Sequence, residues 1–241
     1  ELTTIQGVRE NELFGYGLVV GLAGTGDTER VFFTSQSISS MLGRLGIRID
    51  PREVRSRNVA AVMVTARLPP FARPGTAIDV SVASIGNARS LAGGVLLVTP
   101  LAGADGEIYA LAQGPVQVGG YEAAAAGSSV RKNHPTAGRV PGGGTVERGV
   151  VHDLGAGPLV FQLVDPDFTT ASRIAQAIDG VLGARSARAL DPAAVLVEVP
   201  EERRGDLVAL VAQLEALEVR ADERARVAIS ERTGTVVAGR N

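Results

Sequence analysis

Five glycines within twelve residues, from Gly15 to Gly26, give the chain a spacing that a phosphate-binding loop could use. A P-loop places Lys and then Ser or Thr after its last glycine, whereas Asp27 follows Gly26 here. The carboxylate of Asp27 would repel a phosphate. In the dinucleotide-binding pattern, Glu29 stands where the third glycine belongs. The spacing therefore favours a bent or bulged strand over a nucleotide site.

The residues that could carry catalysis are few. His134 and His152 are the only histidines, and the chain has no cysteine, so a metal site would lack ligands. The adjacent pair His152 and Asp153 cannot easily reach the geometry of a triad. Glu201 and Glu202 open a predicted helix, where the helix dipole favours acids. We predict no catalytic residue, no metal site and no cofactor, and we expect that the protein is not an enzyme.

Composition points to an aliphatic, strand-rich protein. The 241 residues are 45% hydrophobic but only 4% aromatic, with no Trp, so Val, Leu, Ile and Ala must fill the core. Thirty glycines and twelve prolines predict many turns and short strands. No apolar run approaches the length of a bilayer, so no transmembrane segment is expected. The absence of Cys fits the cytosol and an exported protein equally well.

Charge is distributed unevenly along the chain. Eight arginines but only three acids lie between Arg44 and Arg89, and fourteen acids but ten arginines follow residue 150. Nucleic acid is not an expected partner, because no aromatic side chains alternate with these arginines for base stacking. The basic stretch is either a solvated face or a protein-docking face.

Hydrophobic periodicity predicts the elements of the first part of the chain. Ile38, Met41, Leu42 and Leu45 have helical spacing, and they predict a helix over residues 34–46 with Thr34 as its N-cap. Alternating apolar residues predict strands. These predicted strands cover residues 5–22, 58–68, 76–85, 94–100 and 108–118.

The remainder divides into a connection and a second module. Residues 123–149 have low complexity and read as a mobile loop or linker. After it, strands at 159–164, 193–199 and 226–229 alternate with helices at 167–182 and 201–217, and Asp167 caps the first helix. We predict an α+β protein: a strand-rich N-terminal domain with few helices (1–122), the linker, and a small β-α-β-α-β sandwich (150–241). We also expect a trimmed chain whose last module is truncated at its C-terminal end.

In sequence order, eight segments of the chain closely resemble the flagellar P-ring protein family. They run over nearly the whole chain: GVREN at 7–11, GYGLVVGL at 15–22, GTGD at 24–27, NVAAVMVTA at 58–66, PPFAR at 69–73, GNARSL at 86–91, YALAQG at 109–114 and RTG at 232–234. Two features depart from the family. This chain lacks the cysteines of some relatives, and residues 140–144 are richer in glycine than the usual pattern.

The resemblance implies a structural subunit rather than an enzyme. Members are exported to the periplasm, where an assembly chaperone helps them to form a homo-oligomeric ring in the peptidoglycan layer. That ring acts as a bushing for the flagellar rod and adjoins the outer-membrane L-ring protein. Two alternatives remain: a stand-alone peptidoglycan-binding module, or an enzyme that uses the glycine block as a ligand loop.

Site residues follow from the resemblance together with the charge pattern. We expect Arg57 and Arg89 to form an electrostatic interface with the rod or with the neighbouring outer-membrane ring. The glycine-rich strand is expected to contribute subunit contacts through Gly15, Tyr16, Gly17 and Gly21.

Overall fold

The protein is described by a computed structural model that divides into two compact units, Arg9–Val151 and Glu1–Val8 with His152–Asn241. The residues that the structure describes are 2–28, 30–44, 46–54, 57–119, 121–125, 128–132, 135–150, 157–222, 227–230 and 235–238. The predicted boundaries at residues 122 and 150 differ from this division, because the first unit continues to residue 151 and the N-terminal residues join the second.

The first unit is built on a closed barrel of six antiparallel strands. Helix α1 (Phe32–Arg44) lies between the first two of its strands in sequence. The strands of this unit and of the N-terminal segment are β1 (Thr3–Ile5), β2 (Asn11–Val20), β3 (Val59–Leu68), β4 (Ala77–Ser84), β5 (Val95–Ala102), β6 (Ile108–Pro115), β7 (Tyr121–Ala125), β8 (Ser128–Lys132) and β9 (Ala137–Val146). The barrel order is β2-β3-β4-β9-β6-β5, and β7 pairs with β8 separately.

Alternation of side chains explains why these segments form a barrel. In β4, Ile78, Val80 and Val82 point into the core, as their spacing in the sequence predicts. The buried cluster inside the barrel consists of aliphatic side chains among the described residues, and it includes Leu13, Val64 and Leu101. The aliphatic core expected from the composition is therefore observed in this unit.

Three predictions for this unit differ from the structure. Helix α1 begins at Phe32, so Thr34 lies within the helix and is not its N-cap. The segment over residues 5–22 is two strands, β1 and β2, separated by a turn that begins at Gln6. The predicted linker contains β9, so that interpretation is wrong for residues 137–146. Glycines suggested a loop, but in β9 they allow close strand approach: a side chain at Gly144 would lie 2.7 Å from Ile78 Cγ1.

The second unit is an open antiparallel sheet with helices. Its sheet order is β1-β10-β12-β11. Its elements after β1 are β10 (Leu159–Leu163), α2 (Phe168–Leu182), β11 (Ala187–Asp191), β12 (Ala194–Val197), a 3-10 helix (Glu201–Asp206), α3 (Leu207–Glu215), β13 (Val227–Ser230) and β14 (Thr235–Ala238). Its buried cluster includes Phe161, Ile174 and Leu210.

The α+β class with a strand-rich first part is confirmed. In the second unit, the strand predicted at 193–199 is β12, and it forms a hairpin with β11, for which no strand was predicted. Strand β13 pairs with β14 rather than with the sheet. Asp167 caps α2 as predicted, because its side chain accepts a hydrogen bond from the Thr170 amide at 2.7 Å.

Candidate functional site

Three segments that are distant in sequence meet beside the start of β3. We call residues 24–28, 57–59 and 86–90 the loop cluster. The amide of Gly26 donates to the Arg57 carbonyl at 2.8 Å, and the amide of Arg89 donates to the Thr25 carbonyl at 2.7 Å. The loop cluster thus joins the GTGD and GNARSL segments to the residues that lead into β3.

Backbone donors in the glycine-rich loop are already used within the protein. The five amides from Gly24 to Thr28 donate to Asn58 Oδ1, to the carbonyls of Leu22, Arg57 and Val59, and to Asn87 Oδ1, at 2.8 Å in each case. A phosphate cradle needs free amides that converge on the anion. The loop therefore does not offer a nucleotide the donors that a ligand-loop enzyme would require.

Asp27 lies at the centre of the loop cluster and is fully buried. One carboxylate oxygen, Oδ2, accepts from the Ala61 amide at 2.8 Å and from Thr34 Oγ1 at 2.7 Å. The other, Oδ1, accepts from the Asn87 amide at 2.8 Å. Because these donors belong to β3, α1 and the 86–90 loop, one side chain connects three separate segments.

Arg57 and Arg89 lie on either side of the same loop, and both side chains are exposed. Arg89 Nη2 also donates to the Gly24 carbonyl at 3.1 Å. Within the described part of the chain, neither arginine has a carboxylate at ion-pair distance. By contrast, Arg67 on β3 pairs with Glu12 at 3.0 Å. The two predicted interface residues therefore share one location and keep their charges available to a partner.

Other arginines of the basic stretch are also at the surface. Arg44, at the end of α1, and Arg48 and Arg52, in the segment that follows, are exposed. Charges that protrude into water attract a partner weakly and are screened over about 8 Å at physiological ionic strength. Exposed arginines of this kind can attract an acidic partner without holding it in one fixed position.

Gly15 and Gly17 lie where β2 packs closely against β5 of the barrel. A side chain at Gly15 would run into the Pro100 carbonyl, and one at Gly17 would lie 2.5 Å from Thr99 Oγ1. Both contacts are with β5, where the pairing of β2 shifts register between Phe14 and Val19. The glycines permit β2 and β5 to approach closely as the barrel closes. Gly21 has a φ of +83°, which favours glycine at the end of β2.

Tyr16 is the predicted subunit-contact residue with a side chain at the surface. It is 43% exposed, and its hydroxyl lies 2.7 Å from Ser37 Oγ on α1. Met63, its direct partner across β2 and β3, and Phe14 on the same strand are also exposed. A groove of about 760 Å³ begins at Met63 and crosses the outer face of β4 and β9. The outer barrel wall thus carries apolar surface beside a concave region.

A charged cluster is formed by residues of β6, of the turn before it and of the segment after β9. The Tyr109 hydroxyl donates to Asp105 at 2.7 Å, which lowers the pKa of Asp105 and raises the pKa of Tyr109. Arg148 lies 5.3 Å from the centre of the Tyr109 ring and pairs with Glu107 at 2.5 Å, and the hydrogen bond to Glu107 raises the pKa of Arg148. These exposed groups stabilise one another at the surface.

The remaining chemical candidates do not come together. His134, His152 and Asp153 lie outside the described residues. Glu201 and Glu202 are exposed in the first turn of the 3-10 helix. Among the described residues, no group of three or more His, Asp or Glu side chains could hold a metal ion. No helix in that part of the chain is both long and apolar enough to cross a membrane.

Sequence reasoning missed the role of Asp27. It used this acid only as an argument against phosphate binding. The partners of the carboxylate are 7, 34 and 60 residues away in the sequence, so local spacing could not reveal them. The available signal was an acidic residue within a glycine-rich loop that does not bind phosphate, which leaves a structural role for the carboxylate.

Comparison with known proteins gives one consistent result. A family model described as "Flagellar P-ring protein" matches residues 1–241. Proteins of that name from Anaeromyxobacter dehalogenans and Geobacter metallireducens are 69% and 51% identical, over 99% and 100% of this chain. One from Nitrobacter winogradskyi is 50% identical over 100% of it. The chain spans 64–66% of the length of these three relatives.

Proposed function

The chain belongs to the flagellar P-ring protein family, and on that premise we propose that it is a structural subunit of the basal-body P ring. In this proposal, copies of the protein form a homo-oligomeric ring in the periplasm, within the peptidoglycan layer. The ring surrounds the flagellar rod as a bushing. Its further partners are the outer-membrane L-ring protein and an assembly chaperone.

One observation supports this proposal most directly. Arg57 and Arg89 are 32 residues apart in the sequence, but hydrogen bonds place both at the 24–28 loop with their side chains exposed. A bushing must centre its axle without gripping it. Exposed charges suit that task, because screened attractions of about 1 kcal/mol or less form and break rapidly.

Charge reversal tests the proposed interface. In the full-length protein, Arg57→Glu with Arg89→Glu should strongly reduce ring yield and swimming, because the surface would repel an acidic partner. The matched control is Arg9→Glu with Arg73→Glu, since these arginines are exposed in the same unit and the change in charge is identical. Circular dichroism of each purified variant checks that the fold is retained.

The assignment of Arg57 and Arg89 fails if the reversed protein gives normal rings and normal swimming. It also fails if the Arg9 and Arg73 control loses as much ring yield and swimming, because net charge rather than position would then matter.

Sedimentation with purified sacculi separates a ring subunit from a stand-alone peptidoglycan-binding module. A stand-alone module would pellet with the sacculi as an isolated subunit, whereas a subunit that acts in the ring would pellet only after assembly.

Subunit contact through the glycine-rich strand is the second part of the proposal. Tyr16 is its candidate contact residue, with exposed Phe14 and Met63 beside it. Gly15, Gly17 and Gly21 support the contact indirectly by allowing β2 to adopt its path. Tyr16→Lys should lower the yield of assembled rings. Tyr16→Phe should not, because Phe retains the aromatic side chain and loses only the hydrogen bond to Ser37. Equal yields from both variants would contradict this contact.

A further inference from the structure

The buried carboxylate of Asp27 connects the segments that carry the two proposed interface arginines. Its oxygens accept from Ala61 in β3 and from Asn87, which lies two residues before Arg89. Gly86 leaves space for the carboxylate, because a side chain there would collide with the Asp27 oxygens. The 86–90 loop is therefore held against β3 through Asp27.

The backbone around Asp27 completes the connection. Its amide donates to the Val59 carbonyl at 2.8 Å, and the amide of Gly26 donates to the Arg57 carbonyl at the same distance. On the other side, Thr25 accepts from the amide of Arg89 at 2.7 Å, and Thr25 Oγ1 donates to the Ser90 carbonyl at 2.9 Å. Both arginines are thus anchored to the same five-residue loop.

We propose that Asp27 is a positioning residue that fixes the separation of Arg57 and Arg89 for their partner. This inference rests on the proposed interface role of the two arginines. Asp27 does not touch the partner, because its side chain is fully buried. It acts through the 86–90 loop on one side and through the start of β3 on the other.

The chemistry of the site requires a carboxylate. Among the described residues, at least three donors converge on its two oxygens. An amide offers one acceptor oxygen, and its NH₂ group would face a donor at the other position. Asp27→Asn therefore keeps the volume of the side chain but leaves at least one of these donors without an acceptor, which costs stability locally. We expect the 86–90 loop to loosen.

A double-mutant cycle tests the proposal in the full-length protein. Asp27→Asn should lower ring yield about tenfold in the native background and cause no further loss in the Arg57→Glu, Arg89→Glu background. The matched control is Asp167→Asn, which should leave the yield unchanged because Asn is an equally good helix N-cap. Hydrogen exchange should show faster exchange at Asn87 and Arg89, with β3 from Val62 onward unaffected.

Several results would overturn the proposal. A normal yield from Asp27→Asn would do so, as would losses that add in the double background, because Asp27 would then act independently of the arginines. If Asp27→Asn also unfolds the barrel, Thr34→Val provides the second variant. It removes one donor to the carboxylate and should give a smaller loss that likewise disappears in the arginine background; an undiminished loss there counts against positioning.

Failure of the proposed function gives a different pattern. In that case, Arg57→Glu with Arg89→Glu alone leaves ring yield unchanged. Hydrogen exchange at Asn87 and Arg89 still decides whether Asp27 holds the loop, since it does not depend on assembly. Unchanged exchange in Asp27→Asn refutes the positioning role whatever the rings show.

Discussion

The two units of this protein differ in how many of their strands have a free edge among the described residues. The barrel closes on itself, so each of its six strands has two neighbours. In the open sheet of the second unit, β1 and β11 each pair with one strand among the described residues. Closure requires strands to approach closely at defined points, and Gly15 and Gly17 lie at one of them, between β2 and β5. An open sheet imposes no such requirement.

The same contrast applies to aspartates in the two units. Asp27 in the barrel unit is buried and accepts from three segments, whereas Asp167 in the second unit is only partly buried and caps one helix. A rigid barrel can hold a loop with exposed charges at its surface. The comparison predicts that equivalent substitutions have unequal effects in the two units, and the following variants measure that difference.

The largest difference is expected between Asp27→Ala and Asp167→Ala. Truncating Asp27 leaves a buried donor on β3 and a part-buried donor in the 86–90 loop without acceptors, which should cost the barrel about 3–5 kcal/mol. Loss of the N-cap should cost the second unit about 1 kcal/mol. Hydrogen exchange read separately for β3 and β10 gives both values, because a protein of two units need not unfold in one step.

Equal losses in the two units would contradict this ranking. So would a loss of protection in β10 that exceeds the loss in β3, because the barrel carboxylate would then be the less important of the two. Asp27→Ala in isolation cannot make the distinction, which is why the capping variant serves as its control.

Local signals in the sequence were enough for much of this fold. Alternation identified β4, and the cap at Asp167 identified the start of α2. Strand β9 was missed because its glycines resemble a loop, although they are selected by contact with β4 across the barrel. In the hairpin β11–β12, only β11 was missed, because it is exposed along most of its length and so carries no alternation of apolar residues.

The candidate site divides in the same way. Arg57 and Arg89 could be selected from the resemblance and the charge pattern, and the structure brings both to one loop. Asp27 could not, because its role depends on which segments the closed barrel brings together. Gly15 and Gly17 were selected for a contact between subunits, but their close neighbours in the structure belong to β5 of the same chain.

Glycine replacement should give opposite signs in the two units. At Gly15, an added side chain meets the Pro100 carbonyl and lies 2.9 Å from Leu101 Cδ2, so Gly15→Ala should destabilise the barrel by about 1–3 kcal/mol. Gly180 lies in α2, and among the described residues no atom outside its chain neighbours and the adjoining helix backbone lies within 4 Å of the added carbon. Gly180→Ala should therefore stabilise the second unit by about 0.5–1 kcal/mol.

Exchange protection in β2 and in α2 reports the two effects. Stabilisation of the barrel by Gly15→Ala would show that β2 and β5 can separate without cost, and the explanation of the glycine block by barrel closure would fail. A destabilising Gly180→Ala would indicate that α2 meets a partner at that position.

The smallest effect concerns pH and belongs to the barrel alone. The hydrogen bond from Tyr109 lowers the pKa of Asp105, so its contribution is complete above the ordinary pKa of an aspartate and is lost as pH falls through the lowered value. The same bond raises the pKa of Tyr109, so that contribution is lost as pH rises through the raised value.

Tyr109→Phe removes the hydroxyl but retains the aromatic ring beside Arg148. The difference in urea midpoint between the two proteins should be small and constant near neutral pH, and it should vanish at acidic and strongly alkaline pH. Because all these groups belong to the barrel unit, protection in α2 should not respond; a pH-independent difference would show that the hydroxyl stabilises the turn without involving the charge of Asp105.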